Sequence, residues 1–176
     1  MKKIMFNDKF LLTKAVLNGT KIMTRRLLKE GTPLGNWEET AKMLRYKIGE
    51  VVAVAQRYSD IGAASFDEWE RETNWFKKGF TNKMFVRADL MPHHIKITDV
   101  KVERLQDITD DDCLKEGIIH LTALGIGGYG YITADGECCM CDTPREAFAE
   151  LINEICGKDT WERNPWVDAY TFERVD

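Results

Sequence analysis

Nine consecutive residues, Asn18-Gly19-Thr20-Lys21-Ile22-Met23-Thr24-Arg25-Arg26, hold a glycine turn, an amine, two hydroxyls and two guanidiniums. Arginine presents a planar fork matched to phosphate or carboxylate, while lysine acts as a point charge or, once desolvated, as a base. Lys21 and Thr24 are three apart, so a regular strand would send them to opposite faces; a shared site requires a turn or bulge between them. The same residues would also serve as a basic surface loop after a helix. A second candidate is Glu116, placed by the pattern in the last turn of a helix just before Gly117. A carboxylate there faces the negative end of the helix dipole, which tends to raise its pKa. Either it serves a site or solvent tolerates it.

Cys138-Cys139-Met140-Cys141 has C-x-x-C spacing, but no second such pair and no H-x3-H partner accompanies it. His93, His94, His120, Cys113 and Cys156 are scattered, so four zinc ligands would need convergence by the fold. We therefore assign no metal and no cofactor. Phosphate loops, nucleophile elbows, H-E-x-x-H and dinucleotide fingerprints are absent, and Gly125–Gly130 reads as flexible loop. Trp37, Trp69, Trp75, Trp161 and Trp166 could stack bases, but packing a core is the expected role for most of them.

The elements that must position these residues follow from capping and periodicity. Asn7 or Asp8 can cap a short helix ending at Asn18-Gly19, and a basic turn or short strand follows over 20–29. Residues 31–47 read as loop with Trp37 as an apolar anchor, and 50–55 as a buried strand. Residues 58–83 suggest an excursion, with a short helix near 66–72; Phe85-Val86-Arg87 looks like a strand edge. Ile95-Lys96-Ile97 and Val100-Lys101-Val102 alternate with a parity change at Thr98-Asp99, the mark of a bulge or corner. Thr109 caps an acidic first turn, and Gly117 closes that helix. Residues 120–141 read as an irregular insertion. Thr143-Pro144-Arg145-Glu146 combines cap, N1 proline and capping-box acid before a helix whose apolar face includes Phe148, Leu151 and Ile152. Residues 166–175 form a closing strand. Short strands, few helices and a corner indicate an α+β fold, a small barrel with helices outside.

The chain has 176 residues, net charge −4 and five cysteines. This length favours one domain, spanning 1–176, with insertions at about 58–83 and 119–143. No apolar run approaches the roughly 20 residues of a membrane span, and the N-terminus lacks a signal-peptide core; a cytoplasmic protein without a membrane partner is expected. Residues 1–29 carry a local +7 while the other 147 carry −11. That asymmetry is a cue for an anionic partner at one end, or for a solvated helix face.

Lys21-x-x-Thr24-x-Arg26 after Gly19, a strand opening Gly49-Glu50, the run Thr98 to Ile108, Asp112-x-x-x-Glu116-Gly117 and Asn164-Pro165-Trp166-Val167 resemble the ASCH domain (activating signal cointegrator homology), a PUA-like fold. With Met91-Pro92 they are similar to its longer bacterial and phage-associated branch, over about two-thirds of the chain. Ala55-Gln56 stands where that branch often carries an Arg-Glu-containing stretch at the cleft floor. The resemblance implies a β-barrel core, a cleft near the basic turn, and recognition of RNA or a modified nucleotide. It also implies contacts from Lys21, Arg25 and Arg26, with Thr24 and Glu116 reading or processing the base. In a short bacterial member type that hydrolyses the amide of N4-acetylcytidine, the catalytic lysine, threonine and glutamate fall on Lys21, Thr24 and Glu116. Three functions follow as expectations: a module for RNA or a nucleotide or nucleoside, an amidohydrolase on an acylated nucleoside, or a phage-associated accessory protein that binds a protein partner.

Overall fold

The structure, a computed structural model, describes residues 1–62 and 74–176. Among them, β1 (Lys3–Ile4), β2 (Met23–Leu27), β3 (Val51–Val54), β4 (His94–Arg104) and β8 (Trp166–Arg174) build a five-stranded sheet in the order β1-β3-β4-β8-β2. The strands β5 (Ile119–His120), β6 (Tyr129–Ile132) and β7 (Cys138–Cys141) form a separate antiparallel sheet. The β4/β8 ladder is the spine, and its register shifts between Ile97 and Asp99, where the alternation changes parity. The extra residue keeps Ile95, Ile97 and Val100 all buried.

The sheet is open, which corrects the expected closed barrel. Closure would require β2 to ladder with β1, but these are the two terminal strands and they do not pair. β1 has only two residues. In place of a ladder, Arg26 Nη2 donates to the Met5 carbonyl at 2.5 Å just beyond β1. The gap so left between the two edges becomes a cleft.

Six α-helices are found among the described residues: α1 (Leu12–Leu17), α2 (Trp37–Met43), α3 (Asn74–Thr81), α4 (Asp110–Lys115), α5 (Pro144–Cys156) and α6 (Thr160–Arg163). Thr143 and Glu146 form the reciprocal capping box of α5, and Ala147, Phe148, Leu151 and Ile152 are its buried face. Thr109 caps α4 through Asp112 N–H. Three local expectations are corrected. α1 starts after Leu11 at φ 55° with no side-chain cap; Asp8 instead accepts from Thr13 Oγ1 at 2.5 Å and from Lys83 Nζ at 2.7 Å. Residues 37–43 are helix rather than loop, capped by Asn36, and Trp37 is half exposed rather than an anchor. Phe85-Val86-Arg87 is no strand, because Val86 N–H turns back to the Lys83 carbonyl and the Arg87 N–H goes to the Tyr58 hydroxyl.

The irregular insertion expected over 120–141 is also corrected, since it contains β6 and β7. Its glycines hid the strands for a physical reason. A Cβ on Gly130 would lie 1.8 Å from the Cys139 carbonyl oxygen, so the close approach of β6 and β7 there requires glycine. The helix expected near 66–72 falls outside the described residues.

Candidate functional site

Two backbone clamps bring distant residues together. The N–H of Lys21 donates back to the Ala15 carbonyl, closing the turn after α1, and the N–H of Ile22 donates to the Lys115 carbonyl at the end of α4, 3.0 Å in each case. Lys21 therefore precedes β2 rather than lying on it, which removes the strand parity that would have separated it from Thr24. Gly117, at φ +107°, lets α4 end against this turn; a Cβ there would sit 3.1 Å from Leu12 Cδ2 and 3.6 Å from Lys21 Cδ.

Lys21 Nζ donates to the Glu116 carbonyl at 2.6 Å and to Glu116 Oε2 at 2.7 Å. Both side chains are almost fully buried, at 2% and 5% exposure. Burial pushes the Lys21 ammonium below the ordinary lysine value; Glu116 opposes this, while Arg26 and Arg25 add to it. Arg25 occupies the other side of Glu116. Its Nη1 donates to Glu116 Oε1 at 3.1 Å, its Nε and Nη2 to Glu103 Oε1 at 3.0 and 2.7 Å, and its Nη2 to Asp112 Oδ2 at 2.9 Å. Burial works against its charge, but the pull of Glu116 and the hydrogen bonds of Glu103 and Asp112 outweigh it and hold its pKa above the ordinary value. The guanidinium is thus engaged on three carboxylates, Glu116 among them.

Lys21, Thr24, Arg25, Arg26 and Glu116 all line one cleft of about 420 Å³ between the sheet edges. Phe6 from the β1 side and Phe148, Leu151 and Ile152 from α5 supply apolar walls. The Phe6 ring lies under both cations, 5.9 Å from Lys21 Nζ and 5.7 Å from the Arg26 guanidinium carbon. Thr24 is buried and its hydroxyl makes no hydrogen bond to the described residues. Arg45 also lines the cleft, fixed by Nη2 donating to the Leu27 carbonyl at 3.0 Å. Sequence reasoning missed Arg45 and Phe6, since each lies in a segment read only for its backbone. Gln56, expected at the cleft floor, is not among the cleft's lining residues. Its backbone N–H meets Met91 Sδ at 3.3 Å, and Met91 belongs to a second apolar cluster with Ala55.

A second polar group sits beside Arg26. Asp168 is the direct cross-strand partner of Arg26, and both Arg26 Nε and Asp168 Oδ1 are buried without a hydrogen-bond partner among the described residues. Tyr170 donates its hydroxyl proton to Asp168 Oδ2 at 2.7 Å and accepts from the Tyr46 N–H at 3.3 Å. Burial raises the Asp168 pKa, against the Tyr170 hydrogen bond and the charges of Arg45 and Arg26.

The cysteines stand apart from the cleft, except Cys156 on its wall. Cys139 and Cys141 share a face of β7 with sulfurs 3.9 Å apart. No group of three or more His, Cys, Asp or Glu among the described residues is arranged to hold a metal. Cys113 is buried, and that burial pushes its thiol up to about 12. No helix among the described residues is long and apolar enough to cross a membrane.

No family model matches the chain, and no curated protein matches it. Among solved structures, the chain is similar to a protein from Enterococcus faecalis of family model DUF984, at 13% identity and TM-score 0.40 over 94% of this chain and 67% of that one. It is also similar to an ASCH domain from Lactobacillus crispatus, at 13% identity and TM-score 0.40 over 96% of this chain and 75% of that one. What the cleft can do is therefore read from its own residues and geometry.

Proposed function

We propose that the cleft binds a nucleotide unit, free or within RNA, on an ASCH-like, PUA-like scaffold. The observation that carries this reading is charge: of the four cations that line the cleft, Arg26 and Arg45 make no ion pair among the described residues, in a chain whose net charge is −4. Arg26 and Arg45 are the cations available for phosphate, because Arg25 is held by three carboxylates and Lys21 by one. The apolar walls suit the faces of a base, and the Thr24 hydroxyl and the remaining lone pairs of the Glu116 carboxylate suit its polar edge. Calorimetric titration with cytidine monophosphate and a short single-stranded oligocytidylate tests this. Arg26→Ala combined with Arg45→Ala should weaken both ligands at least about tenfold at moderate salt, from two lost phosphate contacts. Absence of binding by the folded wild-type chain contradicts the reading.

A second reading is favoured by one further observation: a buried lysine with a lowered pKa and a hydroxyl without a hydrogen-bond partner among the described residues line the same cleft. In that reading, neutral Lys21 accepts the Thr24 hydroxyl proton as Thr24 Oγ1 bonds to the carbonyl carbon of an acylated nucleoside. The C–N bond then breaks, the exocyclic amine leaves with the proton, and water hydrolyses the acyl-threonine to release the carboxylate. Glu116 positions Lys21, and Arg26 faces the oxyanion. Release of acetate from N4-acetylcytidine by the wild type, lost in Thr24→Val, supports hydrolysis. No release at high protein concentration, with binding intact, leaves the binding module alone.

A further inference from the structure

A second recess lies beside the cleft. It has a volume of about 280 Å³ and is lined by Trp37, Ala41, Leu44, Tyr46, Ile48 and Val100, with Lys42 and Lys47 at its rim. Trp37 is 52% exposed and Ile48 58%, a large uncovered apolar surface for so short a segment. No carboxylate lines it. Among the described residues neither Lys42 nor Lys47 has an ion pair, while the nearby Glu50 is occupied by Lys2 at 3.0 Å. Glu38 and Glu39 lie one turn earlier on α2, outside the lining.

The sheet register relates this groove to the cleft. Thr24, which lines the cleft, pairs with Tyr170, and Tyr170 pairs with Val100, which lines the groove. Direct cross-strand partners share a face, so Thr24 of the cleft lining and Val100 of the groove lining stand on one face of the sheet, two strand spacings or roughly 10 Å apart. The chain makes the same connection: Arg45 lines the cleft while Leu44 and Tyr46 line the groove. A chain of nucleotides seated in the cleft would thus meet an exposed indole flanked by two unpaired ammonium groups.

We infer that the Trp37 groove is a stacking platform for the neighbouring base of a single-stranded nucleic acid whose first unit occupies the cleft. This rests on the nucleotide reading of the cleft and deepens it, since it makes an oligonucleotide, rather than a free nucleotide, the preferred ligand. The occupant follows from charge complementarity. An apolar aromatic surface with cations and no acids at its rim fits a base on its face and phosphates at its edge, and stacking on an aromatic side chain is indifferent to base identity.

The test compares cytidine monophosphate with a fluorescein-labelled oligocytidylate by anisotropy and calorimetry. The wild type should bind the oligomer more tightly. Trp37→Ala, at an exposed position that leaves the core intact, should weaken the oligomer about tenfold or more and leave the mononucleotide unchanged. Trp37→Phe should restore most of the loss, and Lys42→Ala combined with Lys47→Ala should flatten the salt dependence by roughly 1.4 in log–log slope. Wild-type affinity for the oligomer in Trp37→Ala overturns the platform and leaves the cleft reading standing. A wild type that binds neither ligand overturns both. Loss of self-association or of a protein contact in Trp37→Ala, with oligomer binding unchanged, assigns the groove to a protein and overturns the inference.

Discussion

Without its negative charge, residue 116 would offer the buried Lys21 ammonium only neutral acceptors, the backbone carbonyl and an amide oxygen. Removing one partner of a buried pair is far costlier than the pair is worth, because the other charge stays desolvated. Glu116→Gln should therefore lower unfolding free energy by about 3 kcal/mol at pH 7 in denaturant titrations. It should also drive the Lys21 pKa further down, since Glu116 is what opposes burial there. Asp168 gives the reverse case. Its folded pKa is raised, so the folded state binds more protons than the unfolded state between 3.8 and the raised value. Stability present below pH 3.8 is lost as pH climbs through that raised value. Asp168→Asn should consequently stabilise the protein at pH 7 by about 1 kcal/mol, and the gain should vanish in strong acid. A constant gain at every pH would mean that Asp168 ionisation plays no part.

At the scale of elements, the site depends on how α4 ends. Gly117→Ala forces a left-handed alanine whose Cβ meets Leu12 Cδ2 at 3.1 Å and stands beside the Lys21 stem. The expected cost is about 1–3 kcal/mol in thermal or denaturant unfolding, with ligand affinity reduced in the folded fraction because Lys21 is displaced. An unchanged stability would show that the turn relaxes without strain. This joint was partly legible in the sequence. Thr109 and Gly117 bracket α4 by local chemistry, and the residue before the closing glycine is Glu116. The parity change at Thr98-Asp99 likewise announced the β4 bulge. Other features have no local signature. Arg25 and its partners Glu103 and Asp112 are up to 87 residues apart; the β2/β8/β4 register brings Glu103 into reach, and the clamp of Ile22 on the end of α4 brings Asp112. The β6 and β7 strands were masked by the glycines that let them pack. Barrel closure was misread because edge-to-edge pairing depends on strand length and tilt, and a two-residue β1 cannot supply it.

Over the whole molecule, charge and cover are unevenly distributed. The chain is acidic overall, yet its cations gather at the gap between β1 and β2, and two more flank an uncovered indole. An open sheet makes this arrangement available, because a closed barrel would fill the gap with a backbone ladder. The most direct test is a crystal structure of the chain soaked with cytidine monophosphate. The account predicts the phosphate on Arg26 and Arg45, and the base between Phe6 and the α5 wall with its polar edge toward Thr24 and Glu116. A nucleotide bound elsewhere on a folded chain, with the cleft empty at saturating ligand, would contradict it.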